Sequence, residues 1–230
     1  TLWHTLSLHD ALPIWEIDAL LGQLDVPPAG RALDIACGAG RHLKAMRAAG
    51  LAAVGVDLSQ ALLREAAERR GLGGQVAEAD VRALPFDGAF DLAVNLFTSF
   101  GYFADEAENA AALRRMAGVL RVGGLLVVDH VNRAHLERHL IAEDERQVNG
   151  LTVFSQRRIE DDRMIKRMSI TQTGGQAPER IIESVRLYRP AEMAAAFEAA
   201  GLAVERMVGS FDGEPLTDES SRMITIGVRR

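Results

Sequence analysis

The stretch Leu33-Asp34-Ile35-Ala36-Cys37-Gly38-Ala39-Gly40-Arg41-His42 decides how the rest of the chain is read. Ala32 to Ala36 is a short, nearly continuous apolar run of the kind that fills a buried strand. Cys37 to Gly40 is a tight turn, and His42 to Ala49 has helical spacing that stops at Gly50. Glycines at 38 and 40 let the backbone turn sharply and approach a ligand with no side chain in the way. The helix behind them offers N–H groups without intrahelical partners, which suit a carboxylate or a phosphate. A dinucleotide would also fit such a turn, but the third glycine of that fingerprint falls on Leu43.

Outward from this unit the same alternation repeats. Upstream, Ile17, Leu20, Leu21 and Leu24 form one helical face, closed by Pro27-Pro28-Ala29-Gly30. Downstream come a strand at Ala53 to Asp57, a helix at Gln60 to Arg70 and a strand at Gln75 to Ala79. A fourth strand at Phe90 to Leu96 is next, then a helix with Leu113, Met116 and Leu120 on one face, and a fifth strand at Leu125 to Asp129. Alternating strands and helices predict parallel strands joined by crossovers. After Leu140 the period changes to two. Val148 to Arg158, Met164 to Thr173 and Ile181 to Tyr188 read as antiparallel strands separated by Asp161-Asp162 and Gly174-Gly175. A helix from Pro190 to its stop at Gly201 and a hairpin of Ala203 to Val208 with Arg222 to Val228, around Phe211-Asp212-Gly213, return to the core. The prediction is an α/β doubly wound, seven-stranded sheet whose last strand is antiparallel. Residues 15–140 form the ligand-binding core, 141–189 a small antiparallel β insertion, and 190–230 the helix and hairpin that complete the core.

Composition bounds the function. Of 230 residues, 48% are hydrophobic and 25% charged, as expected for one globular domain. Acidic residues outnumber Lys and Arg by 32 to 26, so the net charge of −6 offers no footprint for a phosphate backbone, and nucleic acid is not expected as a partner. No apolar run is long enough to span a membrane. The single cysteine, Cys37, cannot form an internal disulfide, and no export or lipidation signal is visible, so a reducing cytoplasm is expected. The opening TLWHTLSLHDALPI (1–14) lacks any periodicity continuous with the helical spacing that begins at Trp15. It resembles a translated sequencing adapter, so it is expected to be a non-native leader, and His4 and His9 carry no role.

The Asp34 to His42 motif, with an acid preceding a Gly-x-Gly turn, resembles that of the class I methyltransferases, and the resemblance extends from Trp15 to Arg230. It implies a Rossmann-like sheet and S-adenosylmethionine as cofactor, leaving as S-adenosylhomocysteine. The cofactor's amino-acid end then lies over Asp34, Ala36, Cys37, Gly38 and Gly40. Asp57, at the end of the second strand with Leu58 beside it, is expected to hold the ribose hydroxyls. A carboxylate can accept from both vicinal hydroxyls, and the 23 residues from Asp34 to Asp57 are one strand-helix unit. Asp80, with the Val81 N–H beside it, is expected to meet the adenine, and Asn95 closes the fourth strand on the cofactor side. Cys37 reads as a small apolar filler rather than a nucleophile, because no partner histidine is indicated.

The acceptor side is expected around Asn95-Leu96-Phe97-Thr98-Ser99-Phe100-Gly101-Tyr102-Phe103. This loop departs from the Asn/Asp-Pro-Pro-aromatic pattern of enzymes that methylate nucleic-acid bases. Phe100, Tyr102, Asn132 and Arg186 are the predicted acceptor-side residues, and Arg157 and Tyr188 also lie on the expected cover strands. Methyl transfer needs an aligned nucleophile and, for some acceptors, a base, and His130 after the fifth strand is the candidate base. His135-Leu136-Glu137-Arg138-His139 places two histidines on one helical face, but the Glu is misplaced for the H-E-x-x-H zinc pattern and no third ligand is evident. It reads as a solvated helix, and no metal is expected. The predicted function is methyl transfer to an N or O nucleophile of a small metabolite. The alternatives are a cofactor-binding protein without activity and a nicotinamide-dependent oxidoreductase.

Overall fold

A computed structural model describes residues 15–148, 150–172 and 178–230. The expected leader at 1–14, with His4 and His9, and the Gly174-Gly175 turn lie outside the described residues. In chain order the elements are α1 (Trp15–Leu21), β1 (Arg31–Ile35), α2 (Arg41–Ala48), β2 (Ala52–Asp57), α3 (Gln60–Arg70), β3 (Val76–Glu78) and β4 (Phe90–Asn95). They continue as α4 (Glu106–Gly118), β5 (Leu120–Val131), α5 (Arg133–His139), β6 (Glu143–Val148), β7 (Leu151–Glu160), β8 (Arg163–Gln172) and β9 (Glu179–Arg186). Last come α6 (Pro190–Ala199), β10 (Leu202–Val208) and β11 (Arg222–Arg229). A 3₁₀ turn, Val81–Ala83, comes after β3.

Seven strands form the main sheet in the order β10-β11-β5-β4-β1-β2-β3. β1 pairs in parallel with both β2 and β4, whereas β11 runs antiparallel to β5 and β10. The strand order therefore reverses between β1 and β4, and the C-terminal strand ends on either side of that point form the crevice in which open α/β sheets hold ligands. The central strands are apolar on both faces because helices cover both. Leu33, Ile35, Leu126 and Val128 pack with Leu113 and Met116 of α4 and Met193 and Phe197 of α6. Ala32, Leu92, Val94 and Val127 pack on the other face with Ile17, Leu20, Leu43, Met46 and Ala66 of α1 to α3. A buried Leu truncated to Ala in such a core costs roughly 2–5 kcal/mol, so these two layers hold the strand ends in place.

The insertion is a separate sheet of four strands, β6-β7-β8-β9, all antiparallel. Periodicity predicts three. The fourth, β6, reads Glu-Asp-Glu-Arg-Gln-Val and has no apolar alternation to betray it, because it is an edge strand with largely exposed side chains. β5 is also longer than expected. Gly123 and Gly124, ahead of the expected start at Leu125, lie inside the strand, where the register with β4 slips between the Phe90/Leu120 and Leu92/Leu125 pairs. Arg163 ties the insertion to the core, donating to the Phe103 carbonyl at 3.0 Å and the Gly101 carbonyl at 3.2 Å.

Candidate active site

β1 ends in a chain reversal that its residues force. Ala36, Gly38 and Gly40 have φ of 60°, 54° and 77°, and the Gly40 N–H closes the turn on the Cys37 carbonyl at 2.9 Å. A Cβ on Gly40 would lie 2.4 Å from Leu72 Cδ1 and 3.2 Å from Ala66 Cβ, so that glycine is required by space as well as by torsion. At Gly38 a Cβ meets only Leu62, at 3.8 Å, and torsion alone selects glycine. The Cys37 thiol packs where Gly55 of β2 has no side chain, since a Cβ there would be 2.7 Å from Sγ. Burial, then the charges of Asp34 and Asp57, push this thiol well above its usual range, consistent with a filler and not a nucleophile. α2 starts at Arg41, and Gly40 before it offers no side-chain cap.

Three acids flank this turn in three different states. Asp34 is buried, its Oδ2 has no hydrogen-bond partner among the described residues, and burial plus the negative charge of Asp57 push its pKa up to about 8, against the pull of the Leu43 N–H. Asp57 receives the Gly38 N–H on Oδ2 and the Ser59 N–H on Oδ1, both at 2.8 Å. Asp80 caps the 3₁₀ turn and is chelated by Arg82, whose side-chain hydrogen bonds hold the carboxyl below its usual range. Arg82 itself bridges to Glu108 at 2.5 Å and lies 4.7 Å over the Phe103 ring.

Beyond the strand ends is an open crevice. It brings together the predicted Ala36, Asp57, Leu58, Asp80 and Val81, with Ile35, Val56 and Ala79 as further apolar walls and Arg82 and Phe103 at one end. Leu58, 66% exposed, presents an apolar side chain on the wall of this crevice. The donor and acceptor set fits S-adenosylmethionine. An unsatisfied buried carboxyl suits a cationic amino group, a fixed carboxylate with spare lone pairs suits vicinal hydroxyls, and apolar walls suit a purine. Asn95, almost fully buried, donates from Nδ2 to the Ile35 carbonyl at 3.0 Å and leaves Oδ1 without a partner among the described residues, so it braces β4 against the end of β1.

The acceptor-side expectations sort differently. Tyr102 is 48% exposed, and burial of its hydroxyl with the nearby Glu183 charge pushes its pKa up to about 12. Phe100 is interior and stacks on Tyr188 with centroids 5.3 Å apart. Asn132 is also interior. It caps α5 through the Ala134 N–H and donates to the Thr217 and Ser220 carbonyls at 2.8 and 2.7 Å. Arg186 lies 5.1 Å over the Tyr188 ring and pairs with Glu192 at 3.0 Å, while Arg157 pairs with Asp144 at 2.6 Å. His130 has no exposed surface. Its Nδ1 donates to the Val131 carbonyl at 2.9 Å, its ring meets Tyr188 edge-on, and burial lowers its pKa, so the imidazole is neutral and sealed from the crevice.

Sequence reasoning missed the neighbouring pair that shapes the loop after β4. Asp129, fully buried, takes the Phe97 N–H at 2.7 Å and the Arg222 guanidinium at 2.5 Å. Phe97 and Thr98 both have positive φ, and Phe97 stacks on His42 at 5.0 Å with the Arg222 guanidinium 4.5 Å from its ring centroid. Strain of this sort persists only where the surroundings hold it. Arg82 could have been suspected from its place two residues after an N-capping acid. Arg222 lies 93 residues from its partner and carried no local signal.

Residues 32–124 match a family model described as a methyltransferase domain. The chain is 31% identical to the cypemycin N-terminal methyltransferase of Streptomyces sp, over 84% of this chain and 81% of that protein. It is 29% identical to the dTDP-3-amino-3,4,6-trideoxy-alpha-D-glucopyranose N,N-dimethyltransferase of Streptomyces venezuelae, over 83% and 82%. Among solved structures, SAM-bound CalS10, an amino pentose methyltransferase from Micromonospora echinaspora, superposes with a TM-score of 0.68 at 26% identity, covering 93% of this chain and 88% of that one.

Proposed function

Because this chain belongs to the class I S-adenosylmethionine-dependent methyltransferases, we propose that it methylates the amine nitrogen of a small acceptor bearing polar groups, such as an amino sugar or a short peptide. The nicotinamide-dependent alternative falls with that membership. The bound cofactor supplies an electrophilic methyl carbon on a sulfonium, open to in-line displacement. In our reading the Gly38 to Gly40 turn, at the N-terminus of α2, receives its carboxylate, and Asp34 faces its ammonium. Asp57 uses the lone pairs left over from Gly38 and Ser59 to accept the ribose hydroxyls. Leu58 and Val81 flank the adenine, and Asp80 meets its amino group by giving up part of its contact with Arg82.

One observation carries the choice of an amine: the imidazole best placed by sequence to act as a base, His130, is buried and neutral with no exposed surface. Tyr102, with its pKa raised to about 12, keeps its proton at neutral pH and offers a hydrogen-bonding hydroxyl in place of a base. An uncharged amine needs no base to attack, since its lone pair is already free and its proton can leave to water afterwards. Alignment and exclusion of water then supply the catalysis. The single Cys37 and the acidic composition are compatible with a cytoplasmic reaction on a small molecule rather than on nucleic acid.

The test is a panel of nucleotide-linked amino sugars, peptides with free N-termini and their hydroxyl counterparts, read as S-adenosylhomocysteine release with the purified chain. Turnover confined to amines, rising with pH as the acceptor loses its ammonium proton, supports the proposal. Turnover on hydroxyl counterparts but not amines overturns it, and tight cofactor binding with no turnover on any acceptor would favour a binding protein.

A further inference from the structure

The two histidines of α5 gain in the folded chain the third ligand that the sequence did not offer. His135 and His139 are one helical turn apart, with ring centroids 4.4 Å from each other. Glu219, from the loop between β10 and β11, meets His139 Nε2 through its Oε2 at 3.3 Å. One nitrogen of each ring and one Glu219 oxygen lie within 4.8 Å of one another. The Nδ1 of His135 is buried with no hydrogen-bond partner among the described residues, a cost that a bound ion or a ring flip would relieve. Arg138 orients the carboxylate from behind, reaching Glu219 Oε1 at 2.5 Å and Asp218 at 2.7 Å, and so leaves Oε2 turned toward the histidines.

We propose that His135, His139 and Glu219 form a binding site for a divalent transition-metal ion of the zinc class, with water as the fourth ligand. Two imidazoles and a carboxylate are the donor set that Zn²⁺ takes in open four-coordinate sites, whereas Mg²⁺ and Ca²⁺ prefer oxygen alone. Ligand atoms around a tetrahedral ion with ~2.1 Å bonds are about 3.4 Å apart, which His139 and Glu219 already match at 3.3 Å, while the widest separation, at most 4.8 Å, must close by up to about 1.4 Å. His139 and Glu219 are 53% and 68% exposed and can rotate that far without disturbing the core. None of the three lines the cofactor crevice, so the ion takes no part in methyl transfer. Its effect is to staple the β10–β11 loop to α5. That loop already hangs on Asn132 through Thr217 and Ser220, and it carries Phe211, which stacks on Phe97 with centroids 6.1 Å apart.

The experiment is calorimetric titration of ZnCl₂ into tag-free, chelator-stripped protein carrying His4→Gln and His9→Gln, so that these two histidines cannot contribute to the signal. It is repeated with His139→Ala and with Glu219→Gln, and each protein is also loaded with Co²⁺ and read by visible absorption. We expect one equivalent of Zn²⁺, a Zn²⁺-dependent rise in Tm, and a tetrahedral Co²⁺ spectrum. Each variant should weaken binding by about tenfold or more while its circular dichroism and Tm without metal stay unchanged. Absent binding, or binding equal in parent and variants, overturns the proposal. Neither result depends on the cofactor or the acceptor.

Discussion

The Asp57 carboxylate accepts the Gly38 N–H at 2.8 Å, so the acid that ends β2 also holds the turn after β1. The residue expected to grip the ribose is a brace for the segment expected to grip the other end of the cofactor. The Asp57→Ala variant should therefore lose more than one ligand contact. Charge-assisted hydrogen bonds of this type contribute about 1.5–3 kcal/mol each, so calorimetry with S-adenosylhomocysteine should show affinity falling on the order of a hundredfold or more. Affinity within a factor of three of the parent would remove Asp57 from the site.

Asp34 makes stability depend on pH in an unusual direction. Its pKa in the native chain is about 8, against an ordinary 3.8 when unfolded. Between about pH 4 and pH 8 the native state keeps a proton that the unfolded chain has lost, so the unfolding free energy falls as pH rises and levels off above 8. Asp34→Asn should remove that slope and stabilise the cofactor-free protein at pH 8, by about 1–3 kcal/mol, while weakening cofactor binding. Urea unfolding at pH 5, 6.5 and 8 checks it. A parent protein more stable at pH 8 than at pH 5, with the slope unchanged by the substitution, would contradict the assignment.

Binding a cationic cofactor beside the same carboxyl should draw off its proton. Calorimetry of S-adenosylmethionine at pH 7 in buffers of different ionisation enthalpy should report proton release, vanishing in Asp34→Asn. Buffer-independent heats in the parent would mean that Asp34 does not face the cofactor's positive charge.

The two glycines of the turn should respond differently to alanine. Gly38→Ala imposes only the left-handed torsion, at roughly 1–2 kcal/mol, because its Cβ has room. Gly40→Ala adds a 2.4 Å collision with Leu72 and should cost about 3 kcal/mol or more by chemical denaturation. Equal losses at the two positions would show that torsion alone decides both.

Arg222 is predicted to act on the acceptor side. Arg222→Leu leaves Asp129 buried with its charge unpaired and releases the Phe97 turn, which should lower stability by about 2–3 kcal/mol and raise KM for the acceptor. Cofactor affinity, set at β1 to β3, should stay within about twofold. A loss of cofactor binding as large as the loss of acceptor binding would place this pair elsewhere.

Local rules made most of the cofactor side legible. Leu33 to His42 is a strand, a glycine turn and a helix in sequence, and each of those states is dictated by residues within a few positions of one another. The acids at 34, 57 and 80 fall at strand ends for the same reason: strand period and helix length set where the chain emerges from the sheet. The edge strand β6 escaped because its exposed, charged residues carry no periodicity.

By itself, the sequence determined the alternation of elements, the glycine-bearing turn and the acids at the strand ends. Only the tertiary structure decided what each polar group meets. It sealed His130 behind Tyr188, tied Asn132 to Thr217 and Ser220, and carried Arg222 and Glu219 across 93 and 80 residues to Asp129 and His139. Secondary structure is fixed by short-range sterics and hydrophobic period, which are written along the chain. Partner choice among charged and aromatic side chains depends on which surfaces the packed layers bring together, and no stretch of sequence contains both halves of those contacts.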